Sequence, residues 1–224
     1  MNVKYGLTVN VNNNRSVLTA VNSVAKHNKG IKIIVVNYTD GFVSANIPGV
    51  YCHNIVGNKG HGPGIVEGMC LIATKDPSAD VLVFDNDINM KSGGFIEACS
   101  EAVGDKEFYG IGDVYNDASI EKSTNADKGE FRYMAPYCCV LSCRTFFNYR
   151  LPTDHPVPMV APMYDMYKKG RYDMIHDVDP KSWVTHAWSA TSNKYQTRSY
   201  STKLKCFQLL GDSVPGSFWN EETF

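Results

Sequence analysis

At 224 residues the chain has room for one domain with a substantial buried core, or for one domain carrying a small lobe. A formal net charge of −1 excludes a global electrostatic pull towards nucleic acid or an anionic membrane, and no stretch approaches the ~20 consecutive apolar residues of a membrane span. Seven cysteines, an odd number with no repeated Cys-x-x-Cys pair and no Cys/His zinc spacing, read as reduced thiols, and with no apolar signal core near Lys4 the chain is expected to be cytoplasmic.

Tyr5–Val11 predicts a first strand and Asn12-Asn13-Asn14-Arg15 a polar turn. Ser16 is placed to cap a helix whose apolar positions Val17, Leu18, Val21 and Val24 carry it to His27 and a stop at Gly30. Ile31–Val36 is a second, strongly apolar strand ending in Asn37-Tyr38-Thr39-Asp40-Gly41. Strand, helix, strand in that order implies a right-handed crossover and a parallel sheet. Val50–Cys52 predicts a short third strand, and the four glycines of Gly57–Gly64 precede a helix from Ile65 to about Lys75. Such a loop lets backbone approach a ligand and opens on a helix N-terminus that favours anions. It is neither a P-loop, for want of Gly-Lys-Ser/Thr, nor a dinucleotide fingerprint, and a flexible connection is the alternative reading.

Val81-Leu82-Val83-Phe84 then runs straight into Asp85-Asn86-Asp87, a buried strand ending in an acidic turn. Residues two apart on an extended backbone share a side, so Asp85 and Asp87 can converge, and a hard divalent cation relieves the repulsion between them. The carboxyl end of a strand in an open α/β sheet is where ligands bind. A calcium loop of the EF-hand type is excluded, because Met90 stands where Gly is needed and Ile96 where Glu is needed. The plainer alternative is a solvated acidic turn.

Downstream, the pattern predicts a helix over Gly93–Val103, a strand over Phe108–Val114, and a polar, lid-like loop over Asn116–Glu130. A strand at Tyr137–Leu141 and a proline-rich irregular stretch at Arg150–Pro162 follow. Next come a short helix over Met163–Gly170, a strand at Tyr172–Ile175, and the aromatic segment Trp183–Trp188 with His186 inside it. Lys194–Lys205 carries Lys194, Arg198, Lys203 and Lys205 with two tyrosines and no acidic residue. No internal repeat or linker interrupts the chain.

The order of these signals resembles glycosyltransferases of the GT-A fold, in pattern glycosyltransferase family 2. The resemblance runs over about residues 5–190, on Asn12–Arg15, Ile33–Asp40, Asn58–Gly62, Asp85-Asn86-Asp87, Asp165, Lys169–Tyr172 and His186. It implies one α/β domain with a Rossmann-like, mostly parallel central sheet flanked by helices. About residues 1–115 would bind a nucleotide sugar, and about 116–224 would bind the acceptor and hold the tail. The chain departs from the family at Asn37, where an Asp is usual, so base recognition falls to Asn37 or shifts to Asp40. Tyr164-Asp165 replaces the usual Glu-Asp pair, and the aromatic acceptor motif and membrane helices of polysaccharide synthases are missing.

The activity so implied is metal-dependent transfer of a sugar from a nucleotide sugar, with UDP-sugars the leading donors, to an acceptor hydroxyl with inversion. Mn²⁺ or Mg²⁺ would be held by Asp85, Asp87 and His186, with Asp87 the direct ligand and Asp85 on the ribose or a metal-bound water. A histidine half-buried between Trp183 and Trp188 is the alternative for His186. The donor site would comprise Asn10, Asn12, Arg15, Asn37, Asp40, Asn58, Gly60, Asp85, Asn86 and Arg198. Asp165 is the candidate base; a surface carboxylate paired with Lys168 or Lys169 is its alternative. Arg198 or Lys203 could meet the diphosphate, or the basic, tyrosine-containing segment could touch nucleic acid and make a hydroxylated DNA base the acceptor; a solvated face is the plainer reading. Acceptor classes are a small molecule, a glycan or such a base. The rivals are a nucleotidyltransferase, whose glycine-rich loop after the first strand is absent from Val9–Arg15, and a non-catalytic metal- or sugar-binding module.

Overall fold

Four apolar segments near the start of the chain become parallel strands: β1 (Val3–Asn10), β2 (Lys32–Asn37), β3 (Val50–Asn54) and β4 (Asp80–Phe84). A computed structural model describes residues 1–11, 14–39, 47–57, 59–116, 131–153 and 157–186, apart from the side chains of Asn14 and Arg15. All five residues of β4 are buried, which accounts for a continuous apolar run in place of alternation.

Helix α1 (Asn14–His27) links β1 to β2, and α2 (His61–Lys75) links β3 to β4. These two crossovers travel in opposite directions across the sheet, so right-handed connection places the helices on opposite faces. The expected cap at Ser16 lies inside α1, which starts two residues earlier. Helix α2 starts at His61, four residues before the expected Ile65, because Gly62 and Gly64 are helix-packing residues and not loop. A Cβ on Gly62 would fall 1.8 Å from the Thr153 carbonyl oxygen, and one on Gly64 would fall 2.5 Å from a Val9 methyl. Absence of side chains lets α2 lie directly on β1 and on the Thr153 loop. The helix-opening turn is made by Gly60 at φ 86°.

Beyond β4 come β5 (Ile88–Met90), α3 (Phe95–Val103), β6 (Gly110–Asn116), β7 (Arg132–Ser142), α4 (Cys143–Phe146), α5 (Val160–Lys168), β8 (Ile175–Asp177) and β9 (Val184–His186). The main sheet has seven strands in the order β3-β2-β1-β4-β7-β6-β8, and β5 pairs with β9 in a small second sheet. β7 is the antiparallel member, pairing with β4 on one side and β6 on the other. The expected strand at Tyr172–Ile175 is instead a 3-10 turn over Tyr172–Met174 leading into β8. The polar loop Asn116–Glu130 falls, from residue 117 on, outside the described residues. The described cysteines are all free, and Cys99, Cys138, Cys139 and Cys143 are buried. Among the described residues no helix is long and apolar enough to cross a membrane.

The chain leaves β1 towards β2 on one side and comes back to β4 on the other. The crevice between the carboxyl ends of β1 and β4 is therefore the topological switch point, where this architecture opens to ligands.

Candidate metal centre

Asp85 and Asp87 lie at that switch point. β4 ends at Phe84, and the Asp85 N–H donates to the Tyr137 carbonyl (2.9 Å), extending the ladder with β7 by one residue. Asn86 and Asp87 turn the chain into β5. The two carboxylates thus converge through a turn, and not along an extended backbone as the i, i+2 spacing suggested. The antiparallel register of β5 with β9 sets Ile88 opposite His186, bringing the imidazole beside Asp87. His186 Nε2 lies 2.9 Å from Asp87 Oδ1 and 3.5 Å from Asp85 Oδ2. One ligand atom from each of Asp85, Asp87 and His186 fits within 4.8 Å of the others.

His61, the first residue of α2, places Nε2 3.2 Å from Asp85 Oδ1. Burial pushes the Asp85 pKa up, but the charges of His61 and His186 and the hydrogen bond from His186 outweigh it and hold the carboxyl below the ordinary carboxylate range. Burial likewise works against the His186 cation, yet its hydrogen bonds to Asp85 and Asp87 lift its pKa to about 9. The metal-free centre at neutral pH is therefore an imidazolium clamped between carboxylates. Asp85 Oδ1 is buried and, with His61 Nε2 beside it, accepts no well-aligned hydrogen bond from the described residues. A buried carboxylate oxygen beside a second carboxylate and an imidazole is a donor set that fits Mn²⁺ or Mg²⁺. A cleft of about 350 Å³, lined by Ser16, Thr19, Asn89 and Thr185, opens on Asp87 and His186.

The other expected donor residues lie along the carboxyl edge of the sheet. Parallel register aligns Asn10, Asn37 and Asn54, the last residues of β1, β2 and β3. Asn10 Nδ2 donates to Asn37 Oδ1, and Asn37 Nδ2 donates to Asn54 Oδ1, both at 2.8 Å. Asn37 also accepts from the Thr39 N–H and donates to the Thr39 carbonyl. Two acceptances and two donations use the whole capacity of a primary amide, so in this arrangement Asn37 is a buried strut. Gly60 opens α2 beside His61, and Asn86 is buried in the acidic turn. Asn12, Asp40, Asn58, Arg198 and Lys203 lie outside the described residues, as does the side chain of Arg15.

Asp165 lies on α5. Its Oδ2 accepts from the Arg150 N–H (3.0 Å) and from Lys169 Nζ (2.9 Å), one of the two lysines named for it. Lys168 turns instead to the Tyr164 ring. Two residues of the centre had escaped notice in the sequence. His61 falls in the glycine run that reads as loop, and only its place at the start of α2 singles it out. Tyr137, whose ring lies on His186, carried no local signal.

No protein-family model matches the sequence, and no curated protein matches it. Solved structures do. A mannosyltransferase from Pyrobaculum calidifontis, solved with GDP-Man and Mn²⁺, superposes at a TM-score of 0.63 with 12% identity over 96% of this chain. This chain spans 66% of that protein's length. Glucosyl-3-phosphoglycerate synthase from Mycobacterium tuberculosis, solved with Mn²⁺ and UDP, gives 0.67 and 12% over 96% of this chain and 81% of its own. The galactosyltransferase LgtC gives 0.55 and 8% over 94% of this chain and 96% of its own. These likenesses establish the GT-A fold.

Proposed function

We propose that this chain is a divalent-cation-dependent glycosyltransferase that moves a sugar from a nucleotide donor to an acceptor hydroxyl with inversion. The observation that carries the reading is the convergence of Asp85, Asp87 and His186 at the switch point of a GT-A sheet. Proteins of this fold solved with GDP-Man and Mn²⁺, or with UDP and Mn²⁺, support the same assignment. Mn²⁺ or Mg²⁺ bound there would supply Lewis-acid stabilisation to a departing diphosphate. Asp87 and His186 hold the cation, and Asp85 either joins them or takes the ribose.

His61 keeps Asp85 ionised and turned towards the crevice. Asn10 and Asn37 brace the strand ends that face the nucleoside, while the first half of the chain binds donor and the second half binds acceptor. UDP-sugars are the donors to try first, with GDP- and CDP-sugars beside them. Asp165 is the proposed base: both of its contacts fall on Oδ2, leaving Oδ1 able to accept the proton of an acceptor hydroxyl. Acceptors to test are glycans, small alcohols and DNA carrying hydroxylated bases.

The test is donor hydrolysis. Incubation with UDP-, GDP- and CDP-sugars and Mn²⁺ should release nucleoside diphosphate, and Asp87→Ala should abolish release with the fold intact. Absence of donor binding with any divalent metal would sink the assignment. With an acceptor in hand, retained anomeric configuration in the product NMR spectrum would overturn inversion.

A further inference from the structure

We propose that Tyr137 is a positioning residue which seats the cation-binding side chains, through its backbone for Asp85 and through its ring for His186. The proposal rests on the metal reading above. Asp85 and His186 come from segments about a hundred positions apart in sequence, and Tyr137 touches both. Its carbonyl accepts the Asp85 N–H at 2.9 Å, which fixes the start of the acidic turn. Its ring lies parallel to the His186 imidazole, with centroids 4.8 Å apart and planes 7° apart. Its hydroxyl donates to Asp113 Oδ2 at 3.2 Å. Asp113 in turn stands 3.9 Å from Lys181 Nζ, in the 3-10 turn that leads into β9. Tyr137 is thereby tied at its backbone to the end of β4 and at its hydroxyl to Asp113 of β6, which in turn stands near Lys181 on the approach to β9.

The local fold explains how one residue comes to do this. The β6–β7 register slips between Gly112↔Cys139 and Val114↔Met134, and Pro136 lies inside the slipped stretch. Proline has no N–H to give to a ladder. The irregularity breaks the β6–β7 ladder beside Tyr137 and Asp113, and such breaks re-aim side chains beside sites. Tyr137 is only 3% exposed, so its orientation is fixed by packing. Imidazole ligands are commonly oriented by outer partners whose loss lowers metal affinity by about 10–100-fold. A flat aromatic stack constrains the ring plane of His186 while leaving its edge nitrogen towards the carboxylates.

The test is direct Mn²⁺ titration of the full chain, read by electron paramagnetic resonance of the free ion, for wild type, Tyr137→Leu, Tyr137→Phe, Asp113→Ala and Asp87→Ala. Tyr137→Leu should weaken binding by about 10-fold or more. Tyr137→Phe keeps the stack and should recover most of that loss. The residual defect should match Asp113→Ala, which removes the acceptor of the hydroxyl, and the double variant should be no worse than either single one. Should Tyr137→Leu fail to fold, the matched, non-additive defects of Tyr137→Phe and Asp113→Ala decide, and wild-type binding by both overturns the proposal. Wild-type affinity in Tyr137→Leu with binding lost in Asp87→Ala overturns the role of Tyr137 and spares the metal reading. Wild-type affinity in Asp87→Ala overturns both.

Discussion

Cation binding at Asp85, Asp87 and His186 should be coupled to the release of one proton. The His186 pKa is lifted to about 9, from an ordinary 6.5, by the two carboxylates it bridges. A metal requires the neutral imidazole, so below about pH 9 the ion must displace a proton, and its apparent affinity falls about tenfold per pH unit. Asp85 remains ionised throughout, because His61 and His186 hold its pKa below the ordinary range. Between pH 8 and pH 6 the Mn²⁺ dissociation constant should rise about a hundredfold. Calorimetry in buffers of different ionisation heat should count about one proton released per ion at pH 7. Stability carries the complementary sign. The folded-state pKa is raised, so the His186 contribution is fully present below about pH 6.5 and is lost as pH climbs to about 9. A lift from 6.5 to about 9 corresponds to about 3 kcal/mol, or on the order of 10 °C in Tm for a chain of this size. Without metal the protein should lose stability across that window, and saturating Mn²⁺ should flatten the loss. His186→Gln should abolish both dependences. A flat dissociation constant from pH 6 to 8 with no proton released would place His186 outside the coordination shell and refute the reasoning.

Further outcomes follow from single contacts. His61→Ala removes the imidazole 3.2 Å from Asp85 Oδ1 and should weaken Mn²⁺ binding about 10–100-fold with unchanged circular dichroism. Gly62→Ala drives a methyl into the Thr153 backbone, which cannot yield as a side chain tip does, and should cost about 1–3 kcal/mol, read as a Tm lower by several degrees. Asp165→Asn should reduce kcat about 10²–10⁴-fold with little change in Mn²⁺ affinity; unchanged kcat would leave Asp165 as a structural partner of Arg150 and Lys169.

What was legible in the sequence was whatever a short segment decides by itself. Val81–Phe84 declared a buried strand, and Asp85 and Asp87 declared a charge that such a strand end must neutralise. What escaped depends on partners distant in sequence. His61 gains its meaning from Asp85, and Tyr137 gains its meaning from His186, through pairings that only the folded sheet creates. The glycine run shows the same dependence. Glycine serves close approach, and at Gly62 and Gly64 the approaching group is protein, Thr153 and Val9. Asn37 repeats the lesson at the strand ends. The family resemblance offers Asn37 or Asp40 for base recognition; Asn10, Asn54 and Thr39 take up the Asn37 amide, and only the parallel register reveals that these partners are present. A motif records which groups a chain can offer. The sheet then decides where those groups end up, and at this switch point it brings Asp85, Asp87 and His186 against one another, within reach of a single cation.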